Sequence, residues 1–128
     1  MPKYIPERGD VVWLALDPQA GREQAGHRPV LVLSPSSYNG KVGLAICSPI
    51  TNQVKGYPFE VVIPEGDKVS GAILSDHVKN LDWSARRARL ICRMPDTVTE
   101  DVLKKLNTLL RRKPGVTDQA DESSPAPT

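Results

Sequence analysis

Six short apolar or β-branched runs, each closed off by Gly, Pro, Asn or Asp, constrain the fold of this chain more than any other feature. They are Val11 to Leu16, Pro29 to Ser34, Val42 to Ser48, Phe59 to Ile63, Gly71 to Leu74 and Ala88 to Met94. Runs this short suit strands joined by turns. No fixed period links them, which disfavours a solenoid or propeller. One segment departs from the pattern. From Thr99 to Arg112, apolar residues recur at 102, 103, 106, 109 and 110, one face of an α-helix. Thr97 with Glu100 offers a capping box, or Thr99 a simple N-cap, while Glu100 and Asp101 sit at the positive end and Arg111 and Arg112 at the negative. Burying such side chains is worth roughly 1.5–3 kcal/mol each before entropy, so the helix must dock on the sheet. The expectation is a mainly β fold with a C-terminal helix, its small strands forming a curved, barrel-like sheet.

A chain of 128 residues with 39% hydrophobic content has room for one domain and a modest core. Its longest apolar stretches, such as Val30 to Leu33, fall far short of the roughly 20 residues that span a bilayer. The segment Met1 to Arg8 lacks an apolar region ahead of a small-residue cleavage site, and the cytoplasm is the expected location. Cys47 and Cys92 match neither a disulfide framework nor a zinc-ligand spacing, and read as small core hydrophobes. Residues 1–112 carry 16 Lys and Arg against 12 Asp and Glu, whereas residues 113–128 carry one against three. The folded part is mildly basic, which permits a short anionic ligand but is too little for a long duplex footprint. Residues 113–128 hold no Leu, Ile or aromatic side chain and read as a disordered tail.

Two loops concentrate groups that can do chemistry. The first, Asp17 to Pro29, brings together Glu23, Gln24, His27 and Arg28, which can accept a proton, donate hydrogen bonds and fork onto phosphate oxygens. On composition alone a solvated connector is an equal reading. The second, Pro49 to Pro58, offers Thr51, Asn52, Gln53, Lys55 and Tyr57. Lys supplies charge, the amides suit base edges and Tyr suits stacking, a mixture that fits a nucleotide.

The strings Glu23-Gln24-Ala25-Gly26-His27-Arg28-Pro29 and Lys55-Gly56-Tyr57-Pro58-Phe59-Glu60-Val61 resemble the MazF/PemK family of bacterial toxin endoribonucleases. The likeness runs from Tyr4 through Gly9-Asp10-Val11-Val12-Trp13, Asp17-Pro18, Val32-Leu33-Ser34-Pro35, Tyr38-Asn39, Pro49 with Thr51, and Asp76-His77-Val78-Lys79 to the terminal helix. It implies an SH3-like, partly open β-barrel of the PemK/CcdB-like toxin type and a homodimer. It also implies sequence-specific, metal-independent cleavage of single-stranded RNA without a cofactor, and a MazE-like antitoxin whose acidic segment folds on binding. By motif match, Arg28 and Thr51 are the catalytic pair and Glu23 a supporting acid. Transesterification by a ribose 2′-hydroxyl needs a proton acceptor, a proton donor for the 5′-oxygen and donors facing the phosphorane charge. Glu23 is the simplest base on pKa grounds, and Arg28 is easiest to justify as an electrostatic group.

The remaining candidates keep two readings each. His27 is an acid–base group by type, or else packs beside its loop or binds RNA. Asp76 matches a family acid at a strand end, or is a turn residue. His77 stands where Gln is common in the family, which bears on base recognition, and Arg22 stands where small residues are usual. Trp13, inside an apolar strand, reads as core ahead of an RNA-stacking ring. Trp83, near Arg86, Arg87 and Arg89, reads equally as an RNA-stacking ring or as packing. That basic run also suits an acidic antitoxin segment. A rival function draws on the same architecture, a toxin that poisons DNA gyrase by binding through Lys104, Lys105, Arg111 and Arg112 on the helix.

Overall fold

The computed structural model describes residues 4–16 and 27–111. Their elements run β1 (Asp10–Ala15), β2 (His27–Val32), α1 (Ser36–Val42), β3 (Ala45–Thr51), β4 (Glu60–Val62), β5 (Ala72–Leu74), β6 (Lys79–Leu81), β7 (Arg89–Arg93) and α2 (Asp96–Leu110). The strands form one seven-stranded sheet in the order β4-β5-β3-β2-β1-β7, with β6 also on β3. Every pairing is antiparallel. β4 and β7 lie at opposite ends of the order, so the sheet is unclosed, a mainly antiparallel architecture with a C-terminal helix as expected.

β3 organises the molecule. Its residues 45–47 pair with β6, 47–49 with β2, and 50–51 with β5. Because successive side chains alternate between faces, the sheet buries apolar groups on both sides. Val11, Leu31, Ile50 and Ile73 meet Val98 and Val102 of α2 in one cluster. Val12, Leu14, Val30, Val32 and Cys47 form the other, covered by Tyr4, Trp83 and Ala88. The burial of Cys47 pushes its thiol up to about 12, and both cysteines are free.

Several expectations need correction. α2 starts three residues earlier than Thr99, with Pro95 as its N-cap and no side-chain cap bond. Thr97 therefore lies inside the first turn, and the Thr99 hydroxyl is buried with no hydrogen-bond partner. Proline suits that start because the first helical N–H groups lack intrahelical partners in any case. The helix ends at Leu110, and Arg112 with the tail lies outside the described residues. Its apolar face also fades: Val102 is fully buried, whereas Leu110 is 72% exposed.

The third strand is shifted to Ala45–Thr51, so Pro49, Ile50 and Thr51 belong to it rather than to a loop. Residues 36–42, rich in Ser, Asn and Gly, form α1 because Asn39 anchors them from within. Its fully buried side chain donates to the carbonyls of Pro6 and Ser34 and accepts from the Ser34 hydroxyl. β6, too polar to stand out as a strand, adds a seventh. Trp13 is half-buried rather than core. Among the described residues, no helix is long and apolar enough to cross a membrane.

Candidate nucleic-acid cleft and arginine groove

Where β3 ends, the sheet opens into a cleft of about 820 Å³ lined by Thr51, Gln53, Lys55, Tyr57, Pro58, Phe59, Glu60, Leu74, Asp76 and His77. Thr51 is 8% exposed at its wall. Its Oγ1 accepts the Gln53 N–H at 3.1 Å, which orients the hydroxyl and leaves its proton for donation. Thr51 pairs with Ala72 on β5. The residue before that, Gly71, has φ +110, and a Cβ there would run into the Thr51 carbonyl oxygen. Only glycine lets β5 approach the end of β3 this closely.

Side-chain alternation then populates the wall. Thr51 shares a face with Ala72, and along β5 and β4 the same face carries the opposed pair Leu74 and Glu60. On the other edge of β3, Val30 lies opposite Pro49. The paired register stops there, with Arg28 two residues beyond it on the Val30 face of β2 and Thr51 two residues beyond it on β3. Arg28 is half-buried and lies opposite Leu14 of β1. At the cleft mouth, the Lys55 ammonium sits 5.9 Å from the centre of the Tyr57 ring, and His77 Nε2 lies 4.0 Å from Asp76 Oδ1. The cleft thus offers a hydroxyl donor, amide donors and acceptors, one ammonium and two carboxylates.

A second concavity, a groove of about 500 Å³, is lined by Trp13, Ala15, His27, Ala85, Arg86, Arg87 and Arg89. Trp13 and His27 stack with ring centres 6.2 Å apart and an interplanar angle of 18°. The opposite wall is the turn after β6. There Asp82 Oδ1 accepts the Ala85 N–H, the Asp82 carbonyl accepts the Arg86 N–H, and Arg86 Nη1 donates to the Ala15 carbonyl at 2.7 Å. Arg87 carries a positive φ of 56°, a conformation that L-residues adopt at a cost.

Of the residues singled out from sequence, Thr51, Gln53, Lys55, Asp76 and His77 come together in the cleft, whereas Arg28 is not part of its lining. Asn52 is exposed beside Thr51 and is not part of that lining either. His27 faces the arginine groove instead. Trp83 enters neither concavity: its ring packs on the second core cluster and its indole N–H donates to the Asn39 carbonyl at 3.1 Å. Glu23, Gln24 and Arg22 lie outside the described residues. Among the described residues, no group of three or more His, Cys, Asp or Glu could hold a metal ion. Sequence reasoning missed Glu60 as a cleft residue and the pairing of Trp13 with His27. An acid at the head of an apolar strand was the available signal for the first.

The model for PemK-like, MazF-like toxins of type II toxin-antitoxin systems matches residues 7–110. The chain belongs to this family. It is 44% identical over 108 residues to the endoribonuclease toxin MazF of Escherichia coli (strain K12), covering 84% of this chain and 96% of that protein. Its fold matches the crystal structure of MazF (Form-I) from Deinococcus radiodurans with a TM-score of 0.82 at 50% identity, covering 84% of this chain and 98% of that one. A chain of the MazE-MazF crystal structure (Form-II) from the same organism matches with a TM-score of 0.77, again at 50% identity, covering 84% and 97%. The family likeness therefore spans both the cleft and the groove.

Proposed function

We propose that this chain is the toxin of a type II toxin–antitoxin pair and acts as an endoribonuclease on single-stranded RNA, at a short sequence and without a metal. The ribose 2′-hydroxyl attacks the adjacent phosphorus and the bond to the 5′-oxygen breaks. The products are a 2′,3′-cyclic phosphate and a 5′-hydroxyl end. Glu23 takes the 2′-hydroxyl proton, the departing 5′-oxygen takes up a proton from water, and Arg28 forks onto the nonbridging oxygens. Thr51 donates its hydroxyl to the charge that develops there, the kind of preset donor that contributes most when water is excluded. Gln53, Lys55, Asp76 and His77 contact the RNA.

The observation that carries this reading is the Thr51 hydroxyl, fixed by the Gln53 N–H on a cleft wall. Relatives that carry the endoribonuclease name support it at 44% identity. The gyrase alternative rests on shared architecture alone, and one of its helix cations, Lys105, already donates to the Pro58 carbonyl. The toxin works as a cytoplasmic homodimer. Its antitoxin lays an acidic segment on Arg86, Arg87 and Arg89, whose charge and groove shape suit an ordering peptide. The test is incubation of purified protein with a mixed RNA in chelator, followed by mapping of the cut ends. Cyclic-phosphate and 5′-hydroxyl ends at a recurring sequence are expected, and intact RNA, or cleavage by Arg28→Ala at the parent rate, overturns the assignment.

A further inference from the structure

Glu60 takes no part in the chemistry above, yet its side chain is buried, 8% exposed, on the wall of the Thr51 cleft. A carboxylate withdrawn from water persists where donors replace the lost solvent. Here the donors are two consecutive backbone N–H groups. Lys55 donates to both oxygens at 3.1 and 3.2 Å, and Gly56 donates to Oε1 at 2.8 Å. Hydrogen bonds to an ionised acceptor are roughly twice as strong as neutral ones. The Glu60 N–H also donates back to the Tyr57 carbonyl at 3.0 Å. From the opposite side the Lys105 ammonium of α2 donates to the Pro58 carbonyl.

Residues 52–58 are all exposed, so this loop has no apolar core of its own and takes its shape from those polar ties. Gly56, at φ +80 with open space where a Cβ would stand, completes the turn that the carboxylate grips. Tyr57 is 60% exposed between the two tethered points, with the Lys55 ammonium against its ring.

We propose that Glu60 is a positioning residue that presets Lys55 and Tyr57 as one unit to hold a single nucleotide of the RNA, the ring under the base and the ammonium at its phosphate. The inference rests on the ribonuclease reading. Aromatic stacking tolerates any base, and a fixed ammonium adds charge at defined spacing. Glu60 touches neither the reacting phosphate nor its nucleophile, so its loss falls on substrate binding rather than on the chemical step.

The experiment is steady-state cleavage of a single-site RNA by the full chain and by Glu60→Gln, with backbone amide exchange measured on both. Gln keeps the shape but sets an NH2 group against the Lys55 N–H. KM should rise about tenfold with kcat within about threefold, the change that losing one charge-assisted hydrogen bond brings. Exchange should accelerate at Lys55 and Gly56 and stay unchanged in the β3–β5 ladder. Gly56→Ala strains the same turn from outside the core and should reproduce the KM rise, which settles the matter if Glu60→Gln fails to fold. An unchanged KM in a folded variant, or a loss confined to kcat, overturns the proposal. If the parent leaves RNA intact, the ribonuclease reading fails instead, and amide exchange still decides whether Glu60 holds the loop.

Discussion

The cleft at the end of β3 and the groove beside β1 are two concavities in one small sheet, and they differ in charge. The cleft sets Lys55 against Glu60 and Asp76, with Thr51 and Gln53 supplying neutral donors and acceptors. Among the described residues, the groove is lined by Arg86, Arg87 and Arg89 with His27 and by no acid. A mixed surface can discriminate among bases, whose edges present both donors and acceptors, whereas a purely cationic one attracts any polyanion. Their construction differs in parallel. The cleft is made where a ladder ends and a carboxylate holds a loop, while the groove's basic wall is a turn closed by its own backbone hydrogen bonds and by the Asp82 carboxylate on the Ala85 N–H. On the function proposed above, the cleft would serve recognition and chemistry and the groove charge-driven capture.

The sharpest way to break that contrast is to remove one group from each region. Thr51→Ala or Arg28→Ala should lower the cleavage rate by about 10²–10⁴ while leaving the unfolding midpoint near that of the parent. Single-turnover assays and a urea titration check both halves. Next in size is a backbone effect within the cleft. Gly71→Ala should cost about 3 kcal/mol or more in urea unfolding, because positive φ and the collision with Thr51 add. Gly43→Ala, also at positive φ but in open space, should cost only about 1 kcal/mol.

Arg87→Ala with Arg89→Ala should weaken antitoxin binding by about tenfold and flatten its salt dependence, with cleavage within about threefold of the parent. Titration calorimetry at two salt concentrations, alongside the RNA assay, measures this. An equal loss in both assays would merge the two regions into one site. The smallest effect lies outside both. The Ser36 N–H, with help from that of Arg8, holds the Glu7 carboxyl below its ordinary value of 4.5. A depressed carboxyl contributes stability that is present above the ordinary value and lost as pH falls through the folded one. The melting gap between parent and Glu7→Gln should therefore be largest near neutrality and shrink below about pH 4, with RNA cleavage at neutral pH unchanged. Melting curves across that range test it.

Much of this architecture is legible in the chain because strand and helix periodicities act locally. β1, β2, β4, β5 and β7 lie within one or two residues of the apolar runs, and α2 follows from its repeating face. What escaped detection depends on distant partners. α1 looks like a turn until Asn39 is found buried between Pro6 and Ser34. β6 is polar and exists because β3 offers it an edge. Of the site, Thr51, Gln53, Lys55, Asp76 and His77 were visible through residue type and resemblance. Glu60 was not, since an acid at the head of an apolar strand was its only signal and the backbone amides it serves appear only in the fold. Trp83 invited a stacking role on composition, but its indole had already been taken up by Asn39 and the core.

The central strand also ties the cleft to distant parts of the chain. β3 has three partners, one earlier in the chain and two later, the last ending at Leu81. Until residues 72–81 have been threaded into place, the end of β3 has no neighbour on that edge and the Thr51 hydroxyl has no wall to sit in. Closing such long-range pairings is slow compared with forming local turns. The wall around Thr51 therefore depends on pairings that reach from residues 45–51 to residues 72–81 of the chain, not on any local turn.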